Sequence, residues 1–227
     1  LNFRTAFQIG FRAARANLLP GLLLQAIMVC FLATYFLHDG TQAFLTRVGE
    51  VRQEMGYLFS FTTYIISGAF LPEVFRIVFF QNFRPRLANV RNILTAAPLW
   101  ASLGVLVDFF YRCQNDWFGL GNSWQIVAAK LLVDQLLYSP FIATPITNSY
   151  LAFRSSGLNS KTAREVFSWN FVLERMLPSQ IAGWCVWTPG VCIVYFMPPL
   201  LQLPTAVLIM CFWVLLMTSL HERESAK

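Results

Sequence analysis

Charge is scarce in this sequence. Only 12% of its 227 residues are Asp, Glu, Lys or Arg, about half the share in an average soluble domain. That deficit argues against a water-soluble fold. The chain is 56% hydrophobic, with 22 Phe and seven Trp, more apolar surface than a domain of this length can hide. The net charge is +6, but the basic residues form no single patch, so no nucleic-acid partner is expected. In a membrane protein such a surplus reflects topology and attraction to anionic lipid. Histidine is nearly absent. His38 and His221 sit at the edges of apolar runs, so no histidine-built metal centre is expected. The five cysteines, Cys30, Cys113, Cys185, Cys192 and Cys211, include no C-x-x-C and lie mostly inside apolar runs, which argues against a disulfide framework. Cys185 and Cys192 are spaced to share a helix face, where packing is their simplest role. Repeats, low-complexity tracts and flexible linkers are also missing. The length suits one integral membrane domain, 1–227, with an N-terminal extension over 1–56 and a bundle over 57–220.

What the chain does contain is long apolar runs. Six are read as spans, near 18–38, 57–81, 93–113, 124–150, 181–198 and 203–220. Each approaches or exceeds the roughly 20 residues that carry a helix across the hydrocarbon. The expected fold class is therefore all-α, a polytopic transmembrane helical bundle. The fifth run is the shortest and contains Pro189, which allows a broken or re-entrant segment. Pro72, Pro98, Pro140, Pro145, Pro189 and Pro198 are expected to kink their helices. Trp100, Trp117, Trp124, Trp184, Trp187 and Trp213 suit interfacial anchoring or packing.

The basic residues set an orientation. With both termini on the cytoplasmic or matrix-like side, Arg4, Arg12, Arg15, Arg84, Arg86, Arg91, Arg154, Lys161, Arg164, Arg175, Arg223 and Lys227 lie inside, and Arg47, Arg52 and Arg112 outside. Twelve against three is a strong positive-inside bias and favours an even number of crossings. Two further segments read as membrane-surface elements. Leu1 to Asn17 is basic and acid-free, with Phe3, Phe7 and Phe11 on one helical face. It reads as an interfacial helix, the remnant of a targeting segment, or a plain flanking extension. The loop from Ser155 to Pro178 carries Val166, Phe167, Phe171, Val172 and Met176 at partly helical spacing. It is expected to form an interfacial amphipathic helix over Ala163 to Met176, with Asn159 or Ser160 capping the helical start.

Ionisable residues at membrane depth are costly and often mark a permeation path. Here they are Glu73 and Arg76, three apart; Asp108, near the end of the third run; and Lys130 and Asp134, four apart and followed by Gln135. Runs three and four form an outer hairpin, which predicts similar depths for Asp108 and Lys130 and a cluster of Asp108, Lys130 and Asp134 with Tyr111 and Gln135 beside it. The plainer reading is that these charges neutralise one another and lock helix packing, as spacings of three and four allow.

The block Lys130-Leu-Leu-Val-Asp134-Gln135 with Pro140 resembles the K-x-x-x-D-Q…P signature of the Mpv-seventeen / peroxisomal-membrane-protein-twenty-two family. Phe110-Tyr111 resembles that family's aromatic-Tyr pair. Leu177-Pro178 through Leu220, with Trp187, Pro189, Phe196-Met197-Pro198 and Trp213, resembles its C-terminal pattern. The resemblance covers roughly residues 60–220. It departs where Gly190 to Val194 is apolar in place of the family's Gln and Asn, where Thr188 separates Trp187 from Pro189, and where Val214 follows Trp213. The first run has no counterpart in the usual four-span description. The resemblance implies a small multi-pass protein of mitochondrial inner or peroxisomal membranes, with relatives in the bacterial inner membrane, acting as a channel or in membrane homeostasis.

The function expected is a non-enzymatic channel or transporter-like protein for small polar solutes or ions. The alternative is a structural or assembly factor in which the charges only fix packing. Glu73-Val-Phe-Arg76 superficially resembles acidic motifs of membrane proteases, but no histidine at membrane depth and no Ser-His pair accompany it. No catalytic residue, cofactor or metal is expected. The expected partners are membrane lipids and a small polar solute or ion, and a homo-oligomer is left open.

Overall fold

The structure is a computed structural model and describes residues 3–16, 18–157 and 159–225. Asn17, at the end of the basic N-terminal segment, and Lys227, among the inner basic residues, lie outside that set. The described residues form helices and short connections without a strand. In chain order they are α1 (Phe3–Ala16), α2 (Leu18–Leu37), α3 (Asp39–Met55), α4 (Tyr57–Phe79), α5 (Leu87–Phe118), α6 (Trp124–Ser155), α7 (Ser160–Glu165), α8 (Leu177–Phe196) and α9 (Pro199–Ser225).

Three of these, α4, α5 and α6, are long and apolar enough to cross a membrane. A fourth candidate is the bent pair Gly21–Leu37 and Asp39–Met55, which turns by 101°. Pro199–Leu215 within α9 is apolar but shorter. The distribution of polarity agrees with a lipid surrounding. On α6, Lys130 is 0% exposed while Leu136 is 53% and Phe141 73% exposed. A water-soluble helix shows the reverse, and hydrocarbon outside with ions inside is the pattern of a membrane bundle.

The helix ends follow from local chemistry. The His38 ring accepts the Thr41 N–H at 3.2 Å and starts α3, with Asp39 in the favourable first turn. Gly56, at φ +56°, ends it in the left-handed region and lets α4 begin at the next residue. The connection from Phe80 to Arg86 is tight, and Asn82 and Phe83 both take positive φ there. Three stretches widen into π turns: Ile66–Phe70, Asp134–Ala143 and Val172–Met176. Each is followed within two residues by a proline, Pro72, Pro145 or Pro178. A proline ring collides with the carbonyl four residues before it, and the wider turn relieves that clash.

The helices pack as two compact units. One comprises Leu1–Gln25 and Trp124–Cys192, the other Ala26–Ser123 and Ile193–Lys227. In the second unit α4 and α5 approach closely. A Cβ on Gly104 would stand 2.5 Å from the Ser60 carbonyl oxygen, and one on Gly68 would overlap the Trp100 ring. Tyr35, Leu45, Met197 and Leu201 form an apolar cluster that ties α2 and α3 to the start of α9. In the first unit Ala152, Val166 and Phe171 pack together with Met176.

The interfacial stretch differs from the single helix expected over Ala163 to Met176. Asn159, one of the two candidate caps, accepts the Lys161 N–H at 2.9 Å and starts α7, which ends at Glu165. Ser168 then accepts the Phe171 N–H at 3.2 Å and starts a new turn, Trp169–Phe171, that runs through the π stretch into α8. The hydroxyl of Ser168 competes for the backbone and breaks the helix in two. Phe171 is buried as a result, and Phe167 is 90% exposed.

Candidate functional site

Ionised and amide side chains, buried among apolar neighbours, gather in three places among the described residues. The first joins α4 to the start of α5. Glu73 is buried and accepts from Arg76 one turn along α4. It also accepts from Asn89 at 2.7 Å and Asn92 at 3.2 Å. Asn89 in turn takes the Arg86 N–H at 2.8 Å and so closes the N-terminus of α5. Glu73 and Arg76 are thus brought together as their spacing predicts. The carboxylate is held by donors on two helices, and a group this well satisfied is a clamp between them.

The second network lies in the same unit, around Asp108 of α5. Arg52 of α3 donates Nη2 to Asp108 Oδ1 at 2.6 Å and Nη1 to the Pro199 carbonyl at 3.1 Å. Arg112 donates Nε to the same carboxylate oxygen at 3.2 Å and lies 4.7 Å from the centre of the Tyr57 ring. Asp108 is completely buried and Arg52 nearly so, while the Arg112 side chain is 44% exposed. Orientation by charge alone makes Arg52 an outer-loop residue. In the structure it is buried within that segment, because α3 is a helix whose Leu45, Gly49 and Arg52 face the start of α9. One helical turn beyond Asp108, Tyr111 meets the Tyr195 ring edge-on at 5.4 Å, and Gln114 donates to the Tyr195 hydroxyl at 2.8 Å. Asp108, Tyr111 and Gln114 make a polar stripe at helical spacing on the buried face of α5.

The third network belongs to the other unit and runs along α6. Lys130, Asp134 and Gln135 are buried, and Gln135 donates to Asp134 Oδ1 at 2.8 Å. In its own unit Asp134 is therefore placed with Gln135, as Asp108 is placed in its own unit with Arg52 and Arg112. The π turn at Asp134–Ala143 carries the stripe onward through Ser139 to Thr144 and Asn148. Opposite it stands α8. Trp184 donates its indole N–H to the Gln135 carbonyl at 2.8 Å, and Thr188 donates to the Gln135 side-chain oxygen at 3.3 Å. Gln180 is bonded to Ser139 and Thr144, and Asn148 donates to Ser179 at 3.3 Å. The Gln180 amide satisfies all its neighbours with its oxygen toward the Trp184 indole and its NH₂ toward Thr144. From α2, Gln25 donates to the Val186 carbonyl at 2.8 Å. Its own buried side-chain oxygen has no hydrogen-bond partner among the described residues.

Several of these residues escape a reading by charge. Arg52 is 56 positions from Asp108, so no local spacing reveals the pair. Gln180, Thr188, Asn89 and Asn92 are uncharged and interrupt hydropathy only faintly. Arg112 is the exception, because its spacing of four from Asp108 is a visible helical pair. Among the described residues no three His, Cys, Asp or Glu side chains gather as a metal-binding group would. No family model, curated protein or solved structure matches this chain.

Proposed function

We propose that this chain is a multi-pass membrane protein that passes small polar solutes or ions along the polar face of α6, which is buried from Lys130 to Gln135 and half-buried from Ser139 to Asn148. The observation that carries the proposal is the length of that face. Asn148 lies 18 residues beyond Lys130, or about 27 Å along a helix at 1.5 Å per residue. The hydrocarbon core is about 30 Å thick. A polar stripe nearly as long as the membrane is deep, matched by Ser179, Gln180, Trp184 and Thr188 on α8, is more than one ion pair needs for packing. The π turn, a feature frequent at functional sites in helices, supports the reading. The resemblance to the Mpv-seventeen / peroxisomal-membrane-protein-twenty-two family adds to it, because the Lys130 to Pro140 block that carries the resemblance forms the first half of the stripe.

The proposal includes six crossings, with α8 and α9 as the last two and both termini on the cytoplasmic or matrix-like side. The twelve-to-three distribution of basic residues supports that topology. It suits a bacterial inner membrane or an organelle membrane. The second reading, an assembly or structural factor, is favoured by the Glu73 network, whose donors come from two helices of one unit. Purified protein in liposomes separates the two readings. Efflux of potassium, chloride or glycerol above that of protein-free vesicles is the expected result. Absence of flux for all three under imposed gradients and voltage would leave the assembly reading.

A further inference from the structure

The first 38 residues contain no Asp or Glu, and the structure shows what the basic residues among them accompany. α1 has three different faces. Ala6, Gly10 and Ala14 are buried, and a Cβ on Gly10 would stand 2.8 Å from the Ile181 Cβ, so this face lies tight on the start of α8. Phe3, Phe7 and Phe11 form a ladder beside it, with ring centres 6.0 and 5.2 Å apart, and all three are exposed. Arg4, Arg12 and Arg15 occupy the sector beyond the ladder and are exposed. They have no ion-pair partner among the described residues. In the same unit α1 touches the Val172–Met176 turn, whose approach carries Phe167 and Trp169, both largely exposed.

We infer that α1 is a docking surface for an anionic lipid leaflet, with the phenylalanine ladder in the acyl boundary and the three arginines on headgroup phosphates. Apolar rings on one side and uncompensated guanidinium groups next to them match the layered chemistry of an interface. A zwitterionic leaflet would take the rings alone. The acid-free composition adds attraction specific to a negative surface. Seating on Ile181 and Pro178 through small residues fixes which face is left for lipid. The inference stands apart from the transport reading, since it requires no flux.

The test uses the full chain with its five cysteines replaced, carrying Phe7→Cys or, separately, Phe11→Cys with a nitroxide label, in lipid nanodiscs. The discs contain phosphatidylcholine alone or mixed with phosphatidylglycerol. Accessibility of the label to oxygen and to a water-soluble nickel chelate reports its depth. In discs with phosphatidylglycerol the label is expected at hydrocarbon depth. High salt, or Arg4→Gln, Arg12→Gln and Arg15→Gln together, is expected to move it toward water. At about 1 kcal/mol per basic residue near a negative surface, removing all three lowers the docked-to-undocked ratio roughly a hundredfold. A label exposed to the chelate in both lipids would overturn the inference. So would equal immersion with and without phosphatidylglycerol, or shielding from both reagents. An unchanged thermal midpoint of each labelled protein shows that α1 has not simply unfolded.

Discussion

Arg52 and Arg112 bond the same carboxylate with unequal weight. Asp108 and Arg52 are both buried, and removing one partner of a buried pair costs about 3–5 kcal/mol because the other charge is stranded. Arg112 is nearly half exposed, where an ion pair contributes about 0.2–1 kcal/mol. Arg52→Met is therefore expected to lower stability several times more than Arg112→Met, as read from unfolding of the purified protein in detergent. Arg52→Met combined with Asp108→Leu is expected to recover most of the loss. Equal effects of the two single changes would contradict the assignment of Arg52 as the main partner. At this scale the sequence shows its charged residues well, because a charge in an apolar run stands out. Lys130, Asp134, Glu73 and Arg76 are all legible for that reason. Their uncharged partners are not. Asn89, Gln180 and Thr188 acquire meaning only when two helices distant in sequence are brought face to face.

At the scale of elements, the apolar runs at 57–81, 93–113 and 124–150 coincide with α4, α5 and α6. α5 is longer than its run because the backbone hydrogen bonding of a helix continues where hydropathy falls. α3 is hidden from a hydropathy reading. It mixes acids, bases and apolar residues, and only Leu45, Gly49 and Arg52 face the packed side. The broken helix between Glu165 and Trp169 is hidden for a different reason: one serine hydroxyl decides it. At Gly104 one helix meets the backbone of another. Any side chain there meets the Ser60 carbonyl and the Tyr64 ring, so Gly104→Leu forces α4 and α5 apart. Overpacking of this kind costs about 1–3 kcal/mol, and a lower thermal midpoint in detergent is the expected outcome. Wild-type stability of Gly104→Leu would mean that the two helices are not held at this distance.

For the whole molecule, an all-helical membrane protein follows from composition and patterning, and the exposed apolar faces with buried ions agree with it. The proposed topology puts Arg47 and Lys161, both exposed, on opposite sides. Arg47→Cys and Lys161→Cys in the cysteine-free protein are expected to react with an impermeant maleimide from opposite faces of sealed vesicles. Labelling of both from one face would remove the six-crossing arrangement. The central claim is that the polar face of α6 is a path and not only a lock. The most direct measurement compares solute efflux from liposomes holding the wild-type protein with efflux from liposomes holding Lys130→Met/Asp134→Leu. Replacing buried ions of both signs by apolar groups of similar size is often neutral for stability, so a folded double variant is expected. The account predicts that this variant keeps its thermal midpoint and loses the flux that the wild type shows. A folded double variant with undiminished flux would contradict it.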